Sequence, residues 1–225
     1  QLARVAGPLV GYKVDLSNLH LQKTFHAGEP VWGSYYQSML LPAQQGPVDV
    51  RYGSQPVFLA NLLVRVSDAG INDAQTAEDV LLHIDQIVPF IELADLQVQK
   101  PSGLTAHHLT AINAAARLGV MGQPFAVEAD AKNRKRLLRE LEGMSVRVMD
   151  GKGRLLGRGK GSDVMGHPLR SVVWLAAALR KEGHSLQPGQ RISLGALSPM
   201  FRPQKKKKVT ALRQMGFDAV FDTNF

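Results

Sequence analysis

Cysteine is absent from this chain of 225 residues. Its absence excludes disulfide bonds, thiolate metal ligands and a cysteine nucleophile, and it is compatible with the cytoplasmic location that we expect. Long apolar runs are also missing, since none approaches the roughly 20 residues that a membrane-spanning helix requires. We therefore expect no membrane partner. Residues 1–11 do not show the order of charged, apolar and small residues that is typical of a signal peptide.

Acidic residues are outnumbered by basic ones, 19 against 27, and the formal net charge is +8. Much of the excess lies in two blocks, residues 132–139, which we interpret as a helix with a basic outer face, and residues 205–208, which we interpret as a turn. Neither block is interleaved with aromatic side chains that could stack on bases. We therefore do not expect nucleic acid as a partner, although a basic nucleic-acid-binding domain remains an alternative that rests on charge alone.

Composition and length are those of an ordinary soluble protein, with 44% hydrophobic and 20% charged residues. A chain of this length can bury a sizeable core, so we expect a single domain over residues 1–225. Apolar runs and alternation predict strands at residues 9–14, 57–66, 87–93, 144–149, 154–157, 191–194, 209–212 and 219–221. Helical spacing and end signals predict helices at residues 76–86, 105–118 and 168–182. This mixture indicates an α+β fold and not alternating βαβ units.

One glycine pattern and the set of histidines could suggest binding sites, but we interpret both as structural. Gly157-x-Gly159-x-Gly161 superficially resembles a phosphate loop, but it lacks the strand, glycine turn and immediate helix of a dinucleotide fold, and we assign it to a returning hairpin. The seven histidines show no i, i+4 pair that would suggest a metal site. His167, just before Pro168, is expected to cap or pack against the following helix.

Six segments, in order, carry a resemblance to a known family. They are Gly11-Tyr12-Lys13-Val14, the loop Pro30-Val31-Trp32-Gly33, Pro89-Phe90-Ile91-Glu92-Leu93-Ala94-Asp95, the stretch Gly157 to Pro168, Trp174-Leu175-Ala176, and Gly195-Ala196-Leu197-Ser198-Pro199-Met200. Each segment alone is weak, but their order and spacing resemble the 2-keto-4-pentenoate hydratase and 4-oxalocrotonate decarboxylase branch of the fumarylacetoacetate hydrolase superfamily.

This resemblance implies a fold and a chemistry. The fold would be a mixed, rolled β-sandwich with a few peripheral helices, without the N-terminal helical segment of the family. The family is soluble and commonly oligomeric, so we expect a homo-oligomer or a partner from the same family. Its members use a divalent metal, Mg²⁺ or Mn²⁺, to bind a small 2-keto acid and to stabilise the enolate formed on proton transfer. The activities implied are hydration or decarboxylation.

The expected metal ligands are largely missing from this chain. In the family an E-x-E or E-x-D pair places two carboxylates on the same side of one strand. Here Leu59 stands at the first of these positions and Asn61 at the second, so that Glu92 is the remaining acid. Losing a residue that only orients a metal ligand weakens binding about 10- to 100-fold, and two missing ligands therefore predict at least ~10²- to 10⁴-fold weaker binding. We expect a metal site at Glu92 and Asn61 that is weak or absent.

Other departures from the family pattern point the same way. Leu96 and Gln97 replace a serine and an arginine, which removes a cation suited to a substrate carboxylate, and Ile112 replaces an aspartate. Leu59, Leu96 and Ile112 thus make three polar positions apolar. This pattern predicts a lost or remodelled pocket.

The resemblance assigns roles to the residues that survive. Lys13 and Glu92 would be the catalytic residues, and Asn113 with the backbone of Gly195 and Ala196 would bind the substrate. From the residues alone, a lysine at a strand edge in water is the favoured interpretation of Lys13. For Glu92, which follows an apolar run, a pocket-facing position is favoured over a solvated or hydrogen-bonded acid at a strand end. Two hypotheses follow: a 2-keto acid hydratase or decarboxylase with an impaired metal site, or a noncatalytic family member that serves as a binding or assembly scaffold.

Overall fold

The computed structural model describes residues 2–42, 48–97, 103–128, 130–150, 152–203, 208–214 and 218–224. The strands are β1 (Leu9–Asp15), β2 (Val31–Tyr36), β3 (Leu40–Pro42), β4 (Pro56–Val66), β5 (Ile84–Asp95), β6 (Leu118–Met121), β7 (Phe125–Ala126), β8 (Ser145–Asp150), β9 (Leu155–Lys160), β10 (Arg191–Ser193), β11 (Lys208–Gln214) and β12 (Asp218–Asn224). The helices are α1 (Leu2–Ala6), α2 (Leu19–Thr24), α3 (Ala77–Leu82), α4 (Ala106–Ala111), α5 (Ala131–Gly143) and α6 (Arg170–Lys181).

The strands form two sheets. The larger has the order β2-β1-β10-β4-β5-β6-β3, with β7 beside β5, and the smaller has the order β12-β11-β8-β9. In the larger sheet β1 runs parallel to β10 and β3 runs parallel to β6, whereas the other neighbours are antiparallel. The predicted α+β class, with a mixed sheet and a few helices, is confirmed. Among the described residues, no helix has the length and apolar character needed to cross a membrane.

Strand β4 separates two environments. Its even-numbered residues, from Phe58 to Val66, lie in the main hydrophobic core together with Val172, Leu175 and Leu179 of α6. Its odd-numbered residues face the opposite side, because successive side chains of a strand alternate. Leu63 there packs with Tyr35 and other members of a separate small cluster. Both faces of β4 are therefore buried, which explains why its sequence is nearly continuous in apolar residues.

Proline at position 89 lies inside β5, where a missing backbone donor would normally break the ladder. It stands opposite Leu62 in the antiparallel register. The Leu62 amide donates instead to the side chain of Asn61, and the Leu62 carbonyl accepts from Leu194. The ladder therefore needs no donor from Pro89, and β5 continues through it.

Two predicted helices end earlier than their sequence pattern suggests. The helix predicted at residues 76–86 is wrong beyond Leu82, since Ile84 to Gln86 pair with the end of β4. The helix predicted at residues 105–118 is wrong beyond Ala111, where residues 113–115 adopt left-handed backbone angles and β6 follows. In both cases pairing with neighbouring strands outweighs an intrinsic helical preference. The loop expected around Pro30 to Gly33 is also wrong from Val31 onward, because that segment begins β2.

Other local predictions are confirmed. Helix α6 ends before Gly183, whose φ is +76°, and the hairpin of β8 and β9 forms as predicted. The basic segment is helical as α5, with Leu141 buried. The imidazole of His167 accepts from the Leu169 amide and contacts the Leu138 carbonyl, so it caps and packs at the start of α6. The turn predicted at residues 205–208 lies outside the described residues, apart from Lys208.

The glycines of the returning hairpin allow backbone segments to approach closely. A β-carbon on Gly159 would lie 2.0 Å from the Leu197 carbonyl oxygen, and one on Gly161 would lie 1.7 Å from the Leu141 carbonyl oxygen. Neither distance can be relieved by moving a flexible side chain, because both partners are backbone atoms. The assignment of Gly157-x-Gly159-x-Gly161 to the hairpin is confirmed, and close packing explains its composition.

We expect Gly161→Ala to lower the free energy of unfolding by about 1–3 kcal/mol, because the added methyl group forces the backbone of α5 away from the residue that follows β9. Urea unfolding followed by circular dichroism measures the change. The matched control is Gly143→Ala, since a β-carbon on Gly143 would meet no atom within 4 Å. An unchanged stability for Gly161→Ala would contradict this account of the hairpin glycines.

Candidate active site

A buried lysine lies on β1, the strand next to the edge strand β2 of the larger sheet. Lys13 is in the middle of β1, and its side chain is 1% exposed. The ammonium donates to Oε1 of Glu92 and lies 3.1 Å from Oδ2 of Asp15. The structure therefore places Lys13 in an ion-paired interior and not at a strand edge in water.

The carboxylate of Glu92 is shared between this lysine and an amide. Asn61 Nδ2 donates to Glu92 Oε2 at 3.0 Å and to Ser193 Oγ at 2.8 Å. All four residues, Lys13, Asn61, Glu92 and Ser193, are less than 5% exposed. We name these four residues the polar cluster.

Strand register brings the polar cluster together from distant parts of the sequence. Lys13 on β1 is level with Ser193 on β10, which is level with Leu63 on β4. Asn61 is two residues from Leu63 and so points to the same face, and Leu59 stands directly opposite Glu92 on β5. The strand register therefore places the side chains at positions 59, 61 and 92 on the same face of the sheet.

Burial and charge act against each other within the polar cluster. Burial alone would lower the pKa of Lys13, but the adjacent charges of Asp15 and Glu92 outweigh it and raise that pKa. Burial raises the pKa of Glu92, while the charge of Lys13 opposes this effect. The lysine is therefore charged, and Glu92 takes up a proton more readily than an exposed glutamate does.

Tyrosine 35, on β2, is completely buried near these charges. Burial raises the pKa of its phenol well above the usual value, and the negative charges of Glu92 and Asp15 raise it further, whereas Ser193 lowers it. The phenol therefore stays neutral at physiological pH and can act only as a hydroxyl group.

The Gly195 backbone reaches the polar cluster through Asn61. The Gly195 amide donates to Asn61 Oδ1 at 3.1 Å, and the φ of Gly195 is +111°. A β-carbon there would lie 1.8 Å from the hydroxyl oxygen of the buried Ser17, so both the backbone angle and the space require glycine. Ala196 follows and is half-buried.

The side chain of Asn113 binds the backbone of β2. Its Oδ1 accepts from the Ser34 amide at 2.7 Å and its Nδ2 donates to the Ser34 carbonyl at 2.9 Å. The side chain thus holds the left-handed turn at residues 113–115 against the backbone of β2. The structure does not direct this amide towards Lys13 and Glu92, and substrate binding by Asn113 stays a prediction.

The three positions that departed from the family pattern are packed. Leu96 is buried, and Ile112 is half-buried, in a cluster that also contains Leu104 and Leu109. Leu59 is 5% exposed beside Glu92. Two large grooves of about 1020 and 1090 Å³ lie elsewhere, and neither is lined by Lys13, Asn61 or Glu92. The apolar replacements at positions 96 and 112 therefore pack in a hydrophobic cluster that contains none of the four residues of the polar cluster.

The donor atoms of the polar cluster do not suit a divalent metal. Asn61 Oδ1 accepts from the amides of Leu62 and Gly195, so reversing this side chain would set its NH₂ group against two N–H donors. The available oxygen is thus already bonded, and the Lys13 ammonium occupies the Glu92 carboxylate. Among the described residues, no group of three histidine, aspartate or glutamate side chains is arranged to hold a metal ion.

Sequence reasoning did not select three residues of this site. Asp15 follows Lys13 by two positions on a predicted strand, and this spacing signals a shared face. Ser193 gave a weak signal as a polar residue in the short apolar run of β10. Tyr35 gave none, because an aromatic residue on a buried strand is usually core.

No family model matches the chain. Among curated proteins, the TodF product hydratase of Pseudomonas putida strain F1 is 29% identical over 203 residues, covering 89% of this chain and 71% of that protein. The 2-keto-4-pentenoate hydratase of Paraburkholderia phymatum is 26% identical over 193 residues, covering 85% and 69%.

Solved structures share the fold. The 4-oxalocrotonate decarboxylase from Pseudomonas putida G7, complexed with magnesium and adipate, has a TM-score of 0.83 at 22% identity, covering 99% of this chain and 80% of that one. A yeast protein of the fumarylacetoacetate hydrolase family has a TM-score of 0.65 at 16% identity, covering 95% and 90%. The chain is thus similar in sequence to 2-keto-4-pentenoate hydratases and a 4-oxalocrotonate decarboxylase, and it shares the fold of the fumarylacetoacetate hydrolase family.

Proposed function

We propose that this chain is a 2-keto acid hydratase or decarboxylase-like protein whose metal site is impaired. The observation that carries the proposal is the buried contact of Lys13 with Glu92, supported by Asn61. Relatives at about 25% identity are hydratases and a decarboxylase, which gives the substrate class, a small 2-keto acid.

The polar cluster retains groups that this chemistry needs. Hydration and decarboxylation of 2-keto acids both pass through proton transfer next to a carbonyl, with negative charge developing on its oxygen. Glu92, with its raised pKa, can carry the proton, and the ammonium of Lys13 can stabilise developing charge. In this proposal Lys13 and Glu92 are the catalytic residues, and the Gly195 and Ala196 backbone lies on the substrate side.

A second candidate function is a noncatalytic scaffold. It is favoured by the burial of Lys13 and Glu92, whose side chains are 1% and 3% exposed, and by the aliphatic Leu59 opposite Glu92. A scaffold would keep the buried ion pair for stability and would associate with another copy or with a family member. Metal and activity measurements separate these two functions.

We expect wild-type protein to show no saturable Mn²⁺ binding by isothermal titration calorimetry up to millimolar metal. The variant Leu59→Glu/Asn61→Glu restores two carboxylates on the face of Glu92, and we expect it to bind Mn²⁺ at least ~100-fold more tightly. The matched control is Leu59→Gln/Asn61→Gln, which has the same side-chain size without charge. Micromolar binding by the wild type would overturn the proposed impairment of the metal site.

If the chain is an enzyme, it should exchange the methyl protons of pyruvate for deuterium, at a slow rate that ¹H NMR can follow. Glu92→Gln should lower this rate at least ~100-fold, because general acid–base groups contribute about 10²- to 10⁴-fold. Glu182→Gln, an exposed glutamate on the outer end of α6, is the control and should leave the rate unchanged. Exchange that is equal in all three proteins, at the buffer rate, would favour the scaffold.

A further inference from the structure

Two carboxylates from separate strands converge on one ammonium. Asp15 is two residues after Lys13 on β1, so both side chains lie on the same face of the sheet. Asp15 Oδ2 lies 3.1 Å from Lys13 Nζ, and Glu92 of β5 accepts from the same nitrogen. The ammonium is therefore held from two directions by groups that are 77 residues apart, from 15 to 92, in sequence.

We propose that Asp15 and Glu92 form a binding site for a primary ammonium ion and that Lys13 fills this site from within the chain. The lysine then supplies the cation that balances Glu92. This inference concerns the identity of the cation and does not depend on whether the chain turns over a 2-keto acid.

The donors around the nitrogen favour an ammonium over a dication. A primary ammonium has three N–H donors and needs separate acceptors, which Asp15 and Glu92 provide. A dication such as Mg²⁺ demands six oxygen ligands in near-octahedral geometry. The next polar group, Asn61, turns its Nδ2 donor towards Glu92, and Leu59 offers no oxygen.

The solvent exposure of the three side chains indicates where an ion from solution would reach the proposed ammonium site. Lys13 and Glu92 side chains are 1% and 3% exposed, whereas the side chain of Asp15 is 22% exposed. Asp15 is thus the end of the site that reaches water, and its Oδ1 also accepts from the Leu16 amide at 2.7 Å. Removing the lysine side chain would vacate the space between the partly exposed Asp15 and the buried Glu92.

The experiment replaces Lys13 by alanine and restores the cation from solution. Lys13→Ala removes three methylene groups and the nitrogen, which n-propylammonium matches atom for atom. We expect n-propylammonium chloride at ten times its dissociation constant to raise the unfolding temperature of Lys13→Ala by about 3–5 °C. Methylammonium should act more weakly, and tetramethylammonium, which has the charge but no N–H donor, should not act.

Wild-type protein and Lys181→Ala, which removes an exposed lysine, are the controls and should not respond to any of these ions. Two results would overturn the proposal. If MgCl₂ or MnCl₂ stabilised Lys13→Ala as strongly as n-propylammonium does, the carboxylates would be a dication site that Lys13 merely blocks. If no cation stabilised it, Asp15 and Glu92 would not form a cation site.

Lys13→Ala could fail to fold, since it leaves Glu92 buried without a partner. In that case Lys13→Ala/Glu92→Gln is the deciding variant, because it removes the uncompensated charge. We expect the double variant to fold and to ignore n-propylammonium. A double variant that also fails to fold would contradict the proposal, because Lys13 would then be required for a reason other than balancing Glu92.

Discussion

A buried ammonium and a buried carboxylate are stable in a protein interior only when each has the other, together with hydrogen bonds for the remaining atoms. Lys13 and Glu92 meet this condition: the ammonium also contacts Asp15, and the carboxylate also accepts from Asn61. Removing one partner would leave the other charge buried, without a counter-charge and without access to water. The arrangement of β1, β10, β4 and β5 around the polar cluster depends on this pair.

The same pair defines the donor set of the polar cluster. In this chain position 59 is an aliphatic side chain, and the oxygen of Asn61 is bonded to the backbone amides of Leu62 and Gly195. Neither can neutralise a dication, and the charge of Glu92 is balanced by a lysine. The similarity of the chain to hydratases and a decarboxylase and the altered donor set of its polar cluster are therefore compatible.

Much of this site could be predicted from the sequence, because strand alternation alone places positions 59 and 61 on one face, and the family pattern adds Lys13 and Glu92. The use of Asn113 could not be predicted in this way. Its amide satisfies the backbone of Ser34, a contact that depends on how a left-handed turn meets β2. The helix predicted through residue 118 ends at Ala111 for the same reason. Tertiary contacts outweigh the helical preference of this alanine-rich segment.

The most direct test of the central claim is a double-mutant cycle on Lys13→Met and Glu92→Gln, with the free energy of unfolding measured in urea. We predict that each single change costs about 3–5 kcal/mol, because it leaves one buried charge without a partner. The double change should cost at least about 2 kcal/mol less than the sum of the two. Additive costs, with no coupling between the two positions, would contradict the account.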